Sequence, residues 1–329
     1  MNLIVTGGMG FIGSNFVRMM LSRYDDVKVI NVDNLSYGSD IRNLQDLDRA
    51  PNYRFLRRDV CNLSTSECVD VDAIVNLAAQ SHVDRSISNP KSFMDSNTVG
   101  VLNLLELCRL NDMDYVQVST DEVYGSSNGQ AFSELDPLNP SSPYSATKAA
   151  ADLLVESYFR TYGLRAMITR STNNYGPFQF PEKFIPKTII RGLKNLPIPV
   201  YGTGEQIRDW LYVADNCSAL DLVLRNGRAG EIYNIADGNQ ISNLEVVVRV
   251  LDLLGKPQSL LQHVDDRPGH DFRYNLNASK IEQALAWKGK IGFLDGLKAT
   301  VEWYVNNGDW WRPIASDKVL SESPWKENW

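Results

Sequence analysis

The chain opens with a short apolar segment, a glycine-rich turn and a helical pattern, and this order constrains the fold more than any other feature. Residues 3–5 predict a buried strand, and residues 14–22 predict a helix. Between them, Gly7, Gly10 and Gly13 form a GxxGxxG pattern, which a GxGxxG pattern overlaps. Glycines at such a turn let the backbone approach a pyrophosphate at the N-terminus of the helix. The segment therefore predicts a dinucleotide-binding site.

The next predicted strand, residues 27–32, ends in Asp33. A carboxylate about twenty residues beyond the glycines is placed to bind the diol of a ribose. Asp33 would repel a 2′-phosphate, and no arginine follows it directly, so we expect NAD rather than NADP. A third strand at 53–56 leads to Asp59. This residue either accepts a hydrogen bond from the adenine amino group or is an ordinary turn aspartate.

Strands and helices continue to alternate over the first half of the chain. Further strands are predicted at 72–79, 115–118 and 165–170, and helices at 98–110 and 144–162. Alternation of this kind predicts an α/β fold, a doubly wound parallel sheet of the Rossmann type with right-handed crossovers. We expect residues 1–172 to form the cofactor domain, with a strand near 230–236 returning to it. Residues 173–329 should form mainly a smaller, substrate-binding region.

Two polar segments after the fifth strand supply groups suited to proton transfer. Asp121 and Glu122 stand where that strand ends, which is where parallel α/β sheets bind their ligands. Tyr144 and Lys148 are four residues apart and share one face of a predicted helix. We expect the Lys148 cation to lower the pKa of the Tyr144 phenol, which makes Tyr144 a candidate general base. With Thr120 to share a hydrogen bond, the pair predicts oxidation of a secondary alcohol or reduction of a ketone.

The balance of charge argues against several classes of protein. Lys and Arg total 33 against 40 Asp and Glu, which gives a net charge of −7. An acidic chain is not typical of nucleic-acid binding, so an anionic ligand must be held by local positive groups. With no apolar run near the length of a membrane span and no basic leader, we expect a cytoplasmic protein. The cysteines and histidines show no metal-ligand spacing, so we expect no metal.

Three later segments are predicted as irregular. Residues 173–177 form a turn cluster, residues 204–209 a polar loop, and residues 265–271 an exposed loop that holds an arginine and a histidine together. Arg208 and Arg267 in these loops are candidates for a pyrophosphate, because a planar guanidinium suits its oxygens. For each, the alternative is a solvated loop arginine.

The motifs along the chain resemble those of a known family. TGGxGFIG at the start, LAAxSHVDRS at 77–86, PYSATKAxAD at 143–152 and NNYGP at 173–177 resemble the extended short-chain dehydrogenase/reductase family. Narrower motifs resemble one branch, the dTDP-glucose 4,6-dehydratases: STDEVYG at 119–125, FPEKFIP at 180–186, VYGTGxQxRDWLYVxD at 200–215 and DRPGHDxRY at 266–274. The likeness covers nearly the whole chain.

This resemblance implies dTDP-glucose as substrate and a reaction in three stages. Tyr144 would take the proton of the glucose 4-hydroxyl while NAD takes hydride from C4. Glu122 would then remove the proton at C5, and Asp121, in its protonated form, would assist loss of the 6-hydroxyl as water. Hydride returns to C6, so NAD is regenerated and stays bound. Adjacent carboxylates suit this division of roles, because a like charge raises one of their pKa values.

The resemblance also implies which residues contact the ligands. Cofactor contacts are implied for Gly7, Gly10, Phe11, Ile12, Gly13, Asp33, Asn34, Leu35, Ser36, Asp59, Val60, Leu77, Ala78, Ala79, Ser81, Ser96, Tyr144, Lys148 and Asn174. Substrate contacts are implied for Ser81, Thr120, Asn173, Lys183, Phe184, Pro199, Tyr201, Arg208, Asn243, Arg267 and His270.

Two alternatives stay open at this point. A related nucleotide-sugar epimerase or decarboxylase would share most motifs, although epimerases typically carry small or uncharged residues where Asp121 and Glu122 stand. A non-catalytic NAD-sensing protein is the other alternative, although such proteins tend to lose the Tyr144 and Lys148 pair. The family commonly pairs two subunits through helices like 98–110 and 145–162, so the resemblance also implies a homodimer.

Overall fold

The structure is a computed structural model, and it describes residues 1–327. Its strands are β1 (Asn2–Thr6), β2 (Lys28–Asp33), β3 (Tyr53–Arg57), β4 (Ala73–Asn76), β5 (Asp114–Thr120), β6 (Ala166–Ser171), β7 (Asn173–Tyr175), β8 (Ile198–Tyr201), β9 (Ile207–Tyr212), β10 (Ile232–Ile235), β11 (Gln240–Ser242) and β12 (Leu261–Val264). Its α-helices are α1 (Phe11–Arg23), α2 (Val83–Ser88), α3 (Pro90–Met94), α4 (Gly100–Asn111), α5 (Pro143–Tyr162), α6 (Phe184–Leu193), α7 (Val213–Asn226), α8 (Asn243–Leu254), α9 (Ser279–Leu285), α10 (Phe293–Asn306) and α11 (Gly308–Trp311). None of the helices within this range has both the length and the apolar character of a membrane span.

Seven of these strands form one sheet in the order β10-β6-β5-β4-β1-β2-β3. Every neighbouring pair is parallel, as strands joined by helical crossovers require. The predicted doubly wound parallel sheet is therefore confirmed. The direction of strand order reverses between the neighbours β1 and β4, and ligands of such sheets bind in the crevice at this point.

The side chains of the central strands alternate between two apolar cores, one on each face of the sheet. Leu3 and Val5 of β1 belong to the core that α1 and α7 cover, whereas Ile4 belongs to the core under α4 and α5. All three side chains are fully buried. Burial on both faces explains why these strands are continuous apolar runs rather than alternating patterns.

The chain after residue 172 contributes to both halves of the molecule. Its own elements include two small sheets. Sheet β11-β9-β7 borders a third core that is rich in aromatic side chains, and sheet β12-β8 packs with α8 in a separate small cluster. However, β10 pairs in parallel with β6, and α7 packs against α1. Helix α7 therefore packs with the half that contains residues 1–172, although the predicted boundary at residue 172 put it in the second region.

Two segments that the sequence predicts as irregular contain strands instead. β7 lies within the predicted turn cluster at 173–177, and β9 begins within the predicted polar loop at 204–209. The two strands pair in parallel with Asn173 opposite Trp210, and β11 pairs with the other side of β9. The prediction is wrong here because the pairing partners lie far apart in sequence, so the polar composition of each segment alone suggested a loop.

Candidate active site

The carboxyl end of β5 runs directly into a 3₁₀ turn, Asp121–Tyr124. The Thr120 hydroxyl caps this turn by accepting a hydrogen bond from the backbone N–H of Glu122 at 3.3 Å. The far end of the turn is anchored by the buried Tyr124, whose hydroxyl accepts a hydrogen bond from Arg170 Nη1 at 2.8 Å. The turn therefore holds two adjacent carboxylates in place at the edge of the sheet.

Asp121 has the surroundings of a protonated carboxylic acid. It is 3% exposed, and burial raises its pKa well above the usual value, with the Glu122 charge adding to the rise. Its Oδ1 accepts a hydrogen bond from the Thr120 hydroxyl at 3.1 Å. Its Oδ2 is buried and has no hydrogen-bond partner within residues 1–327. A buried oxygen of this kind is suited to form a hydrogen bond with a polar group of a bound ligand.

Glu122 has different neighbours from Asp121. Burial raises its pKa as well, but the Arg267 and Arg208 cations are the strongest charges that oppose the rise. Its side chain lines a cleft that these two arginines also line. Because cations favour the charged form of a carboxylate, Glu122 is the member of the pair that is more easily ionised.

Tyr144 and Lys148 lie on the first turns of α5 and are almost fully buried. Burial lowers the pKa of Lys148 to about 8, and its Nζ donates a hydrogen bond to the Val118 carbonyl oxygen at 2.7 Å. The pKa of Tyr144 is raised, first by burial and then by the charges of Glu122 and Asp121. The expectation of a lowered Tyr144 pKa is therefore wrong, because burial and the charges of Glu122 and Asp121 set its direction.

A first cleft, the cofactor cleft, is lined by the turns that follow β1, β2 and β4. Gly7 has a φ of +70°, and a Cβ there would lie 2.6 Å from the Ala78 nitrogen. A Cβ at Gly13 would lie 2.3 Å from the Gly7 carbonyl oxygen. Helix α1 begins after Gly10 without a side chain that caps its first N–H groups. Such close backbone and such a helix N-terminus fit the pyrophosphate of a dinucleotide.

Asp33 ends β2 in the same cleft and is 4% exposed. Its Oδ2 accepts a hydrogen bond from the Met9 N–H at 3.0 Å, and its Oδ1 accepts one from the Leu35 N–H at 2.8 Å. Arg58 also lines the cleft, but its guanidinium pairs with Glu67 at 2.8 Å. The wall therefore suits a ribose diol better than a 2′-phosphate.

The residues predicted to bind the cofactor line this cleft, with the exception of Leu35 and Asn174. Leu35 packs against the apolar core, and Asn174 lies in the wall of the second cleft. Asp59 lines the cofactor cleft and also caps the next turn, because its Oδ1 accepts a hydrogen bond from the Cys61 N–H at 2.9 Å. Its role as a turn aspartate is thus seen, and its contact with adenine stays a prediction.

A second cleft, the substrate cleft, shares five residues with the first: Ser81, His82, Gln179, Glu182 and Lys183. The residues predicted to bind the substrate line it, with the exception of Thr120. Thr120 is 9% exposed and hydrogen-bonds to Asp121. We therefore expect it to act through its neighbours as well as on a ligand.

Arg208 is not the solvated loop arginine that composition allowed. It is 5% exposed, and its guanidinium lies 4.2 Å from the centre of the Tyr274 ring. Its Nη1 and Nη2 donate hydrogen bonds to the carbonyl oxygens of Ile207 and Asp271, at 2.8 and 2.9 Å. Because β9 carries Arg208 into the interior, its charge acts on the cleft from a fixed position.

The loop at 265–271 is irregular, but its two basic side chains are mostly shielded from solvent. Arg267 Nη1 pairs with Asp84 Oδ1 at 2.8 Å, and the two side chains are 15% and 5% exposed. His270 Nδ1 lies 2.6 Å from Asp266 Oδ1, and burial together with Arg267 lowers the pKa of His270 to about 4. The prediction of an exposed loop is wrong for these two residues, because acidic partners hold them at the wall of the substrate cleft.

Sequence reasoning missed several residues of the two clefts. They are Tyr37, Asp84, Phe180, Glu182 and Lys187. Asp84, Phe180 and Glu182 lie inside motifs that resemble the family, so a signal was present. Tyr37 and Lys187 stand in segments without such a signal.

Comparison with known proteins places the chain in a family. The sequence profile described as GDP-mannose 4,6 dehydratase matches residues 4–300. A relative from Sinorhizobium fredii named probable dTDP-glucose 4,6-dehydratase is 46% identical, over 98% of this chain and 97% of its own. The chain belongs to the dTDP-glucose 4,6-dehydratase family. A member from Streptomyces venezuelae, DesIV, solved with NAD and TDP bound, is 45% identical with a TM-score of 0.93, over 95% of this chain and 100% of that one.

Epimerases share the fold of the dTDP-glucose 4,6-dehydratase family but are more distant. The NAD complex of UDP-glucose 4-epimerase from Thermus thermophilus is 32% identical with a TM-score of 0.85, over 93% of this chain and 100% of that one. The fold by itself therefore does not separate the two classes of enzyme. The side chains at the end of β5 must distinguish dehydratases from epimerases.

Proposed function

We propose that the protein dehydrates dTDP-glucose to dTDP-4-keto-6-deoxyglucose with NAD as its cofactor. The observation that carries this proposal is the adjacent pair of Asp121, which is buried, and Glu122, which is half-buried, and the charges of both act on Tyr144. Loss of water across C5 and C6 needs an acid and a base at one sugar, and the two carboxylates have the unlike surroundings that these roles require. The names of the relatives and the NAD-bound member support the substrate and the cofactor.

The first stage uses Tyr144 and Lys148. Tyr144 in its ionised form accepts the proton of the 4-hydroxyl, and its hydrogen bond with Thr120 opposes the rise of its pKa. Lys148, fixed by its bond to the Val118 carbonyl oxygen, places a cation in the wall of the cofactor cleft. NAD, when bound, accepts hydride from C4 and later returns it to C6.

The second stage uses the carboxylate pair. With a ketone at C4, the C5 hydrogen is acidic because the resulting carbanion is delocalised as an enolate. Glu122, which the Arg267 and Arg208 cations help to ionise, removes that proton. Asp121 donates its own proton to the leaving 6-hydroxyl, and water departs. Glu122 returns its proton to C5 as hydride reaches C6, and the proton held by Tyr144 restores Asp121.

The direct test is incubation of the purified protein with dTDP-glucose. We expect a 4-keto-6-deoxy sugar whose mass is lower by one water. Formation of a C4 epimer from a nucleotide sugar, with no loss of mass, would replace this proposal with the epimerase alternative. Absence of any conversion, with NAD present, would favour a non-catalytic role.

The cofactor released by denaturation is expected to be NAD. Asp33 is held in the cleft by two backbone N–H groups, so its charge would face the 2′-phosphate of NADP. Mass spectrometry of the released nucleotide measures this directly. A sample that contained mostly NADP would contradict the assignment of Asp33 to the ribose diol.

We also propose that two copies of the chain pair through α4 and α5. Both helices expose large apolar side chains although they pack against one another. These side chains are Leu102, Leu110, Leu153, Phe159 and Tyr162. Apolar side chains grouped on adjacent helices are typical of an interface between subunits.

We place the protein in the cytoplasm, where free cysteines such as its own are usual.

The double substitution of Leu102 and Leu153 by Glu is expected to convert a dimer into a monomer. Two charges on each side of an apolar interface carry a desolvation cost that the contact cannot offset. Light scattering measures the change in mass. Leu135→Glu is the control, because Leu135 is 95% exposed in a loop outside these helices. A wild-type protein that is monomeric at working concentration would rule out the pairing.

A further inference from the structure

Four side chains of the cofactor cleft have no role in the chemistry described so far. They are Tyr37, Arg85, Phe180 and Glu182. We propose that these four residues form a clasp across the cofactor cleft that keeps NAD bound between removal of hydride from C4 and its return to C6. This inference rests on the proposed function.

The clasp joins segments that lie far apart in the chain. Tyr37 stands in the loop after β2, and the Arg85 guanidinium of α2 lies 3.8 Å from the centre of its ring. Phe180, which follows β7, packs against Tyr37 with 5.0 Å between ring centres and a tilt of 58°. Because all three side chains also line the cleft, their contacts connect one wall to the other.

Glu182 anchors the clasp at the junction of the two clefts. Its side chain is buried and lines both of them. Burial raises the pKa of Tyr37, and the charge of Glu182 adds to that rise, so the phenol stays neutral. His82 Nε2 lies 3.9 Å from Glu182 Oε2, and the Lys183 and Arg85 cations oppose the rise of the Glu182 pKa. Glu182 therefore places a buried carboxyl group between the ring contacts of the cofactor cleft and the substrate cleft.

The proposed reaction explains why such a device is useful. The hydride that leaves C4 is the one that C6 must receive, so loss of the cofactor between the two steps would strand a partly converted sugar. Exit of NAD requires the ring contact and the cation–π contact to open. From the usual strength of such contacts, we expect them to slow release about ten- to a hundredfold.

The test is the rate at which NAD leaves the loaded protein in the absence of sugar. Excess of an unrelated NAD-dependent dehydrogenase with its own substrate traps released NAD, and the absorbance of NADH reports the rate. Tyr37→Ala and Phe180→Ala are each expected to release NAD about ten- to a hundredfold faster than wild type. Tyr37→Phe, which keeps the ring contacts and removes the hydroxyl, should change the rate less than Tyr37→Ala.

Tyr24→Ala is a matched control from the opposite end of α1. The Arg225 guanidinium lies 3.7 Å from the centre of the Tyr24 ring, and the Tyr24 hydroxyl donates to Asp221 Oδ2 at 2.7 Å. This trio repeats the chemistry of the clasp but does not line the cofactor cleft. Loss of its contacts should lower the melting temperature while NAD release stays at the wild-type rate.

Two outcomes would overturn the clasp. One is wild-type release of NAD from a folded Phe180→Ala variant, which decides the matter even if Tyr37→Ala does not fold. The other is equally fast release from Tyr24→Ala, which would show a general effect of instability. Because the assay contains no dTDP-glucose, faster release with no keto sugar in the separate activity assay would support the clasp and reject the proposed function. With dTDP-glucose, the clasp variants should release NADH and regain turnover on addition of NAD.

Discussion

Replacing Glu122 with Gln is expected to stop the reaction after the first hydride transfer and to lower kcat by about a hundred- to ten-thousandfold. The amide keeps the shape of the side chain but cannot accept the C5 proton. Oxidation at C4 needs Tyr144 and not Glu122, so NADH should build up on the protein when dTDP-glucose is added. Single-turnover absorbance of bound NADH measures this accumulation.

Exchange of the C5 hydrogen with solvent distinguishes the role of the base from the role of the acid. In heavy water, Glu122→Gln should incorporate almost no deuterium at C5. Asp121→Asn should still permit exchange because Glu122 remains, although loss of water should be slow. Glu205→Gln, at an exposed position outside both clefts, is the control for the chemical change itself. Near-normal turnover by Glu122→Gln would show that another group removes the proton.

Replacing Tyr144 with Phe should block the first hydride transfer, again by about a hundred- to ten-thousandfold. The substitution removes the phenol oxygen and no other heavy atom. The ring stays buried on α5, where it packs edge-on against Phe93 with 6.3 Å between the ring centres. Addition of dTDP-glucose should therefore produce no absorbance of NADH, in contrast to the Glu122 variant. This difference between the two variants assigns each residue to one step.

Tyr158→Phe is the matched control on the same helix. The Tyr158 hydroxyl donates a hydrogen bond to Glu106 Oε1 at 2.6 Å and lines neither cleft. Its loss should leave the rate of NADH formation within about twofold of wild type, as expected for a site outside the chemistry. Rapid reduction of NAD by Tyr144→Phe would remove Tyr144 from the role of base.

The sequence by itself determined the class of fold and supplied the candidate site residues. Apolar runs without alternation, joined by helical patterns, are typical of strands that are buried on both faces of a parallel sheet. Gly7, Gly13 and Asp33 occupy positions that local geometry restricts, so their spacing is visible without a structure. The part of the cofactor cleft that follows β1, β2 and β4 can be predicted from that sheet, because its residues stand directly after those strands.

The small sheet of the second region was decided by pairing across the chain. β7 has only three residues and pairs with β9, and β9 pairs with β11 on its other side. Arg208 then enters the interior because it belongs to β9, where backbone carbonyl groups from a distant segment accept its N–H groups. Propensity within a local window carries no information about such partners.

Only the tertiary structure decided the electrostatics of the site. Helical spacing placed Lys148 near Tyr144, but the direction of the Tyr144 pKa depends on burial and on two carboxyl groups in the turn after β5. Asp84 and Arg267 form a partly buried ion pair across 183 residues of chain. Burial and charge depend on which distant groups come together, and a pattern along the chain records only which groups are present. The unlike surroundings of Asp121 and Glu122, on which their proposed division into acid and base rests, arise from folding.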